Sequence, residues 1–343
     1  MPGAESHLGA QEAQLSGWTA VRALLVQRAA AEGVTDLGLM VFDANDNLVF
    51  QHMRGNFTPD QRVAVASASK LVSGLVLFEL IQRGQLSLDS TTGTVLGWTG
   101  VKAHITLRHL LSFTSGMRPN HECLHNPATT LAACVDTLRT LVPLAAPGAR
   151  FDYGGTHLQV AARMAEVVTG KSWNTLFREV LGVPLGHPAE VTYFTMPRAR
   201  IGTQNPLVGG GLQASMSEYA DFLSLTFHKG QTAALTVGTP ALFTAQAREP
   251  FPDAVIGNSP MADLGYPSAY GLAVWLECVT PALGCSRISS PGAFGFTPWL
   301  DRNSGYYAIL GMELAMTGAE GVGEFSYNLE RDLAPLIRNA LTP

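Results

Sequence analysis

Ser67-Ala68-Ser69-Lys70-Leu71-Val72-Ser73-Gly74-Leu75-Val76-Leu77-Phe78-Glu79-Leu80-Ile81-Gln82-Arg83 is the most apolar helical stretch of the chain, and Gly84 closes it. It has no clear polar face. A helix apolar all round belongs in a protein interior, so the rest of the fold must wrap it. Its first turn carries the polar side chains Ser67 and Lys70. Residues i and i+3 share a helix face, so the amine reaches the hydroxyl. Burial disfavours the charged form of a lysine and lowers its pKa, which converts it into a general base. Serine is a poor nucleophile until such a base takes its proton. The alternative is a helix-start serine followed by a chance lysine.

Outward from this helix the pattern splits by region. Trp18 to Glu32 reads as a helix, with Val21, Leu24, Leu25 and Ala29 at helical spacing. Leu37–Phe42 and Leu48–Met53 read as strands joined by an Asp-Asn turn. Between Leu86 and about residue 250 lie helices and long loops. They include Leu158–Val168, Ser172–Leu181 and a helix capped by Ser215 with Glu218. Beyond residue 260 the period becomes two, predicting strands over Tyr270–Val279, Cys285–Ser289, Phe294–Leu300 and Tyr306–Leu314. Phe325–Leu341 closes the chain as a helix. The economical solution is α+β: one antiparallel sheet built from both chain ends and flanked by the terminal helices, with a mostly helical region inserted. Residues 1–16 are predicted as a flexible tail. Residues 17–343 form one catalytic unit, with sheet-forming parts about 17–64 and 260–343 around a helical part about 65–259. A cleft belongs where the two parts meet.

The 343 residues are 46% hydrophobic and 14% charged, with net charge −5, so no broad nucleic-acid footprint exists. No run reaches the ~18–20 apolar residues of a membrane span. The only lysines are Lys70, Lys102, Lys171 and Lys229, which makes Lys70 conspicuous in its apolar helix. The cysteines fall into two near pairs, Cys123 with Cys134 and Cys278 with Cys285. Both separations suit local disulfide loops, which points to an oxidising compartment. The expectation is a secreted or periplasmic protein whose signal peptide has been removed; four reduced thiols in a cytosolic enzyme are the alternative.

The stretch Val65–Lys70, continued through Gly84-Gln85-Leu86-Ser87-Leu88-Asp89, resembles the nucleophile helix of serine β-lactamase-like hydrolases. That family includes class C β-lactamases, serine D-peptidases and family VIII carboxylesterases. Ile105-Thr106-Leu107-Arg108-His109-Leu110-Leu111-Ser112-Phe113-Thr114-Ser115-Gly116 is similar to its "LLxHTSG" segment, with Phe113 where histidine is common. Gly209-Gly210-Gly211-Leu212 and Tyr270-Gly271-Leu272 also match, so the resemblance covers about residues 35–315. It implies Tyr153 as catalytic tyrosine, from Tyr153-Gly154-Gly155 in the place of the Y-x-N motif. A phenol beside a lysine ammonium is more easily deprotonated, so Tyr153 is expected to relay protons. Gly155 replaces the asparagine that helps hold an acylamino group.

The third motif, K-T-G or H-x-G, has its best match at Ser290-Pro291-Gly292-Ala293. The resemblance implies that the Ala293 amide joins that of Ser67 as the oxyanion hole, with Ser290 and Gly292 beside the substrate. No cation suited to a substrate carboxylate remains there, and Arg287 is the nearest upstream candidate to replace one. Pro291 confines this segment to a sheet edge.

His121-Glu122-Cys123-Leu124-His125 matches H-E-x-x-H, but Pro119 and Pro127 bracket it and no helical periodicity surrounds it. It is read as a loop, with no metal site. Gly209-Gly210-Gly211 is read as a tight turn, and His157 as a polar residue of a first helical turn. The sequence therefore predicts a cofactor-independent serine hydrolase acting on small-molecule esters or amides through an acyl-enzyme, most simply a carboxylesterase. Within the same fold, a β-lactamase, a D-amino-acid peptidase or amidase, and an acyltransferase are the alternatives. A binding protein without catalysis is a further one.

Overall fold

The computed structural model describes residues 3–196, 200–313 and 322–342. Six antiparallel strands form the main sheet, in the order Leu48–Arg54, Leu37–Asp43, Tyr306–Gly311, Thr297–Asp301, Arg287–Ser289 and Trp275–Leu276. The two ends of the chain meet at the centre, where Leu39 pairs with Leu310 and Val41 with Ala308. The terminal helices, Gly3–Ala31 and Val322–Leu341, cover one face. Val21, Leu25 and Ala29 of the first pack with Leu329, Leu333 and Ile337 of the last over Leu39, Val41, Trp299 and Leu310. The two helices cross closely at Gly17, where a Cβ would lie 2.7 Å from the Ala340 Cα.

The helix Ser69–Gln82 lies in the larger core on the other face, with every residue from Ser69 to Leu80 buried. Its apolar circumference is thus enclosed within that core, with the helices Thr156–Thr169, Trp173–Phe177 and Met216–Phe227 packed against it. Truncating an enclosed leucine such as Leu75 to alanine would cost about 2–5 kcal/mol.

Four details depart from the sequence reading. The first helix starts at Gly3, where a tail was predicted through residue 16. Residues 4–15 are rich in alanine, glutamine, glutamate and leucine, which extend a helix readily. The segment Tyr270–Val279 keeps only Trp275–Leu276 as strand. Gly271 N donates to Val274 O, Tyr270 bridges to Trp275, and Ala273 takes a left-handed φ of 63°, so the chain doubles back. The strand predicted from Phe294 begins at Thr297, because Gly292 N donates to Phe296 O and residues 292–296 turn. The strand from Tyr306 ends at Gly311; its predicted end, Leu314, lies outside the described residues.

Both disulfides form as expected, Cys123–Cys134 and Cys278–Cys285. No helix among the described residues is long and apolar enough to cross a membrane.

Candidate active site

Ser67 sits in a short 3-10 turn, Ala66–Ala68, that leads into the buried helix. Ala66 is held at a left-handed φ of 47°, a strained conformation for a residue with a Cβ. Ser69 Oγ stakes this turn: it donates to Ala66 O at 2.6 Å and accepts from Leu212 N at 3.0 Å. Tyr219 adds a hydroxyl bond to Ala68 O at 2.7 Å. One turn on, Lys70 Nζ lies 2.8 Å from Ser67 Oγ. The same amine donates to the Gly209 carbonyl at 2.7 Å. Lys70 is 4% exposed, and burial lowers its pKa from 10.5 to about 7. An amine that donates to Gly209 O keeps its lone pair for the Ser67 proton.

Tyr153 comes from the loop ahead of the helix Thr156–Thr169. Its hydroxyl is directed to Ser67 and Trp275, and Lys70 Nζ stands 4.6 Å from its ring centroid. The ring stacks on Trp275 at 4.9 Å and meets the edges of Phe113 and Tyr270. Burial pushes the Tyr153 phenol up to about 12. This corrects the expectation of an easily lost proton. Desolvation outweighs the lowering influence of Ser67 and Trp275, so the phenol stays protonated near neutral pH.

Ser290 Oγ donates to Ser67 O at 3.3 Å, which sets the Ser290–Ala293 segment beside the Ser67 turn. The N–H groups of Ser290 and Gly292 point the other way, to Pro298 and Phe296. A Cβ on Gly292 would lie 2.3 Å from Val65 O, so only glycine allows this approach. Ser67, Lys70, Tyr153, Gly155, Gly292 and Ala293 all line one cavity of about 590 Å³. Leu124, Met196, Leu207, Met261, Trp275 and Tyr327 supply apolar wall. Lys70 is the one lysine or arginine among the described lining residues. Arg287 is held instead by Glu277 at 3.0 Å and by Glu330.

At Gly155 the backbone N–H donates to Asn120 Oδ1 at 3.2 Å. Glu122–His125 is a four-residue 3-10 turn after an extended His121, not an α-helix. His121 Nδ1 accepts from Cys123 N, and the His125 ring bonds to Met196 O. His157 is fully buried, stacked on Phe113 at 5.0 Å and bonded to Ser115 Oγ and to Asp152 O. Burial lowers its pKa to about 4, so it is neutral.

Sequence reasoning missed Trp275, Asn258 and the role of the Gly209 carbonyl. The glycine triplet does form a turn, and a Cβ on Gly211 would lie 2.1 Å from Phe194 O. Its first carbonyl is also the anchor of Lys70.

The arrangement has solved counterparts. The crystal structure of a "putative beta-lactamase" from Bacteroides dorei is 30% identical and superimposes with TM-score 0.78, covering 91% of this chain and 97% of its own. "EstCE1, a hydrolase with promiscuous acyltransferase activity" shares the fold at 18% identity and TM-score 0.69, over 98% of this chain and all of its own. Penicillin-binding protein 4 of Amycolatopsis lactamdurans is 28% identical over 164 residues, 42% of this chain; the match spans 41% of that relative. The sequence profile of the Beta-lactamase family matches residues 21–316, and the chain belongs to that family.

Proposed function

We propose that this protein is a serine hydrolase that cleaves carboxylic esters through an acyl-enzyme on Ser67. The observation that carries the reading is the 2.8 Å approach of Lys70 Nζ to Ser67 Oγ, made by an amine whose pKa burial has brought to about 7. Neutral Lys70 takes the Ser67 proton as Oγ attacks the ester carbonyl. The amides of Ser67 and Ala293 hold the oxyanion. The intermediate collapses with cleavage of the acyl–oxygen bond. Tyr153 gives its proton to the departing alkoxide and is reprotonated from Lys70. Water then enters, loses a proton to the same pair, and releases the acid from Ser67. Every proton is returned: the one taken from water passes back to Ser67 Oγ as the acid departs.

Esters are favoured over β-lactams by what the cavity wall lacks. A β-lactam carries a carboxylate beside its reacting carbonyl, and a cation at Ser290 or Pro291 would bind it with about 1.5–3 kcal/mol. Arg287 is committed to Glu277 and Glu330 and lies outside the cavity lining. Gly155 offers no side-chain amide for an acylamino arm. Together these omissions cost a β-lactam about 2–4 kcal/mol, or about 30- to 1000-fold in kcat/KM. The two disulfides favour an extracytoplasmic location. The test compares kcat/KM for a short-chain p-nitrophenyl ester and a chromogenic cephalosporin. The ester should lead by at least one order of magnitude; a cephalosporin value equal to or above it would overturn the ester assignment.

A further inference from the structure

We infer that Asn258 is a positioning residue, holding the Tyr153 phenol in line with the departing alcohol; the inference rests on the proton-donor role proposed above. Asn258 follows a two-residue parallel ladder in which Arg150 pairs with Val255 and Phe151 with Ile256. Where that ladder ends, the two chains clasp. Tyr153 N donates to Asn258 O at 2.7 Å, and Asn258 Nδ2 donates to Tyr153 O at 2.6 Å. Asn258 N donates to Asp152 Oδ1 at 2.9 Å, and the other oxygen of that buried carboxylate accepts from Arg150 Nε at 2.8 Å. Gly257 makes the approach possible, because a Cβ there would lie 2.2 Å from Asp152 Oδ1.

The remaining backbone groups of this dipeptide are also held. Asp152 N donates to Phe113 O at 3.0 Å, and neutral His157 donates from Nε2 to Asp152 O at 2.7 Å. All four peptide groups of Asp152 and Tyr153 are therefore fixed, and Asn258 supplies two of the four bonds. Its amide is the only side chain on the Tyr153 carbonyl among the bonds described. Asn258 also lines the cavity, so direct contact with substrate is the rival role.

Leaving-group dependence separates the two roles. A p-nitrophenolate departs without a proton, whereas an alkoxide requires one. Matched esters with the same acyl group, p-nitrophenyl butyrate and ethyl butyrate, are compared by kcat/KM, which reports acylation. Tyr153→Phe should lower the ethyl ester at least tenfold more than the aryl ester. Asn258→Ala should show the same selective loss in smaller degree. Asn258→Asp, which keeps the size but replaces the donor with an acceptor, should match or exceed it. Adding Asn258→Ala to Tyr153→Phe should lower the ethyl ester less than twofold further. An equal loss on both esters in Asn258→Ala and Asn258→Asp would overturn the positioning role, as would full additivity in the double variant. Absence of selective loss in Tyr153→Phe would instead refute the proton-donor role on which the inference rests.

Discussion

Lys70 should set the acid limb of the pH profile, and replacing its titration should remove activity. Burial lowers its pKa from 10.5 to about 7. At 1.36 kcal/mol per tenfold change, that displacement disfavours the buried ammonium by about 5 kcal/mol. Only the neutral amine accepts the Ser67 proton. Activity is therefore full above pH 7 and lost as pH falls. At pH 5 about 1% of the amine is neutral, so kcat/KM should be down about 100-fold. An unperturbed lysine would leave the limb near 10.5. The assay is kcat/KM for p-nitrophenyl butyrate from about pH 5 to 9, with stability checked at each pH. Lys70→Arg keeps a charge but never releases it, and should lose at least about 1000-fold at every pH. A rate still rising tenfold per pH step at pH 9 would refute the lowered pKa. A flat profile down to pH 5 would refute lysine as the base.

The same group shapes stability. Between about 7 and 10.5 the unfolded chain binds the lysine proton and the folded chain does not, so stability rises with pH across that window. Below about 7 the full cost of the buried charge is present. Lys70→Met should therefore be inactive yet more stable, by on the order of 1–3 kcal/mol below pH 7 after loss of the Gly209 hydrogen bond. The gain should fade towards pH 10 in thermal denaturation. Gly292→Ala should drive a methyl group into Val65 O and displace the Ala293 amide, lowering kcat/KM about 10²- to 10³-fold while circular dichroism remains native. Replacing Cys278 and Cys285 with serine opens a loop of sequence separation 7 and should cost about 2–3 kcal/mol in denaturant unfolding. Turnover in native buffer should change less than twofold.

The parts of the site that sequence disclosed are local or ordered. Ser67 and Lys70 are three positions apart, and the backbone geometry of one helical turn brings them together. The sheet was legible because period-two stretches at both chain ends need partners, and each supplies the other's. Contacts across long separations left no such signal. The Gly209 carbonyl that holds Lys70 is 139 residues away. The Asn258 amide that holds Tyr153 is 105 residues away, at the end of a ladder too short to show periodicity. The Tyr270–Val279 stretch alternates like a strand, yet the left-handed Ala273 turns it back. That turn brings Trp275 to Tyr153. The phenol's raised pKa was also hidden, because it depends on a ring enclosure contributed by Phe113, Tyr270 and Trp275 together.

Ser67 as the acylated residue is tested most directly by trapping. The protein is labelled with a fluorophosphonate, digested and mapped by mass spectrometry, with Ser67→Ala and Lys70→Ala as controls. The account predicts a single phosphonyl adduct on Ser67, stoichiometric loss of ester hydrolysis, no adduct in Ser67→Ala, and labelling slowed at least about 100-fold in Lys70→Ala. An adduct on any other residue, or full ester turnover by Ser67→Ala, would contradict it.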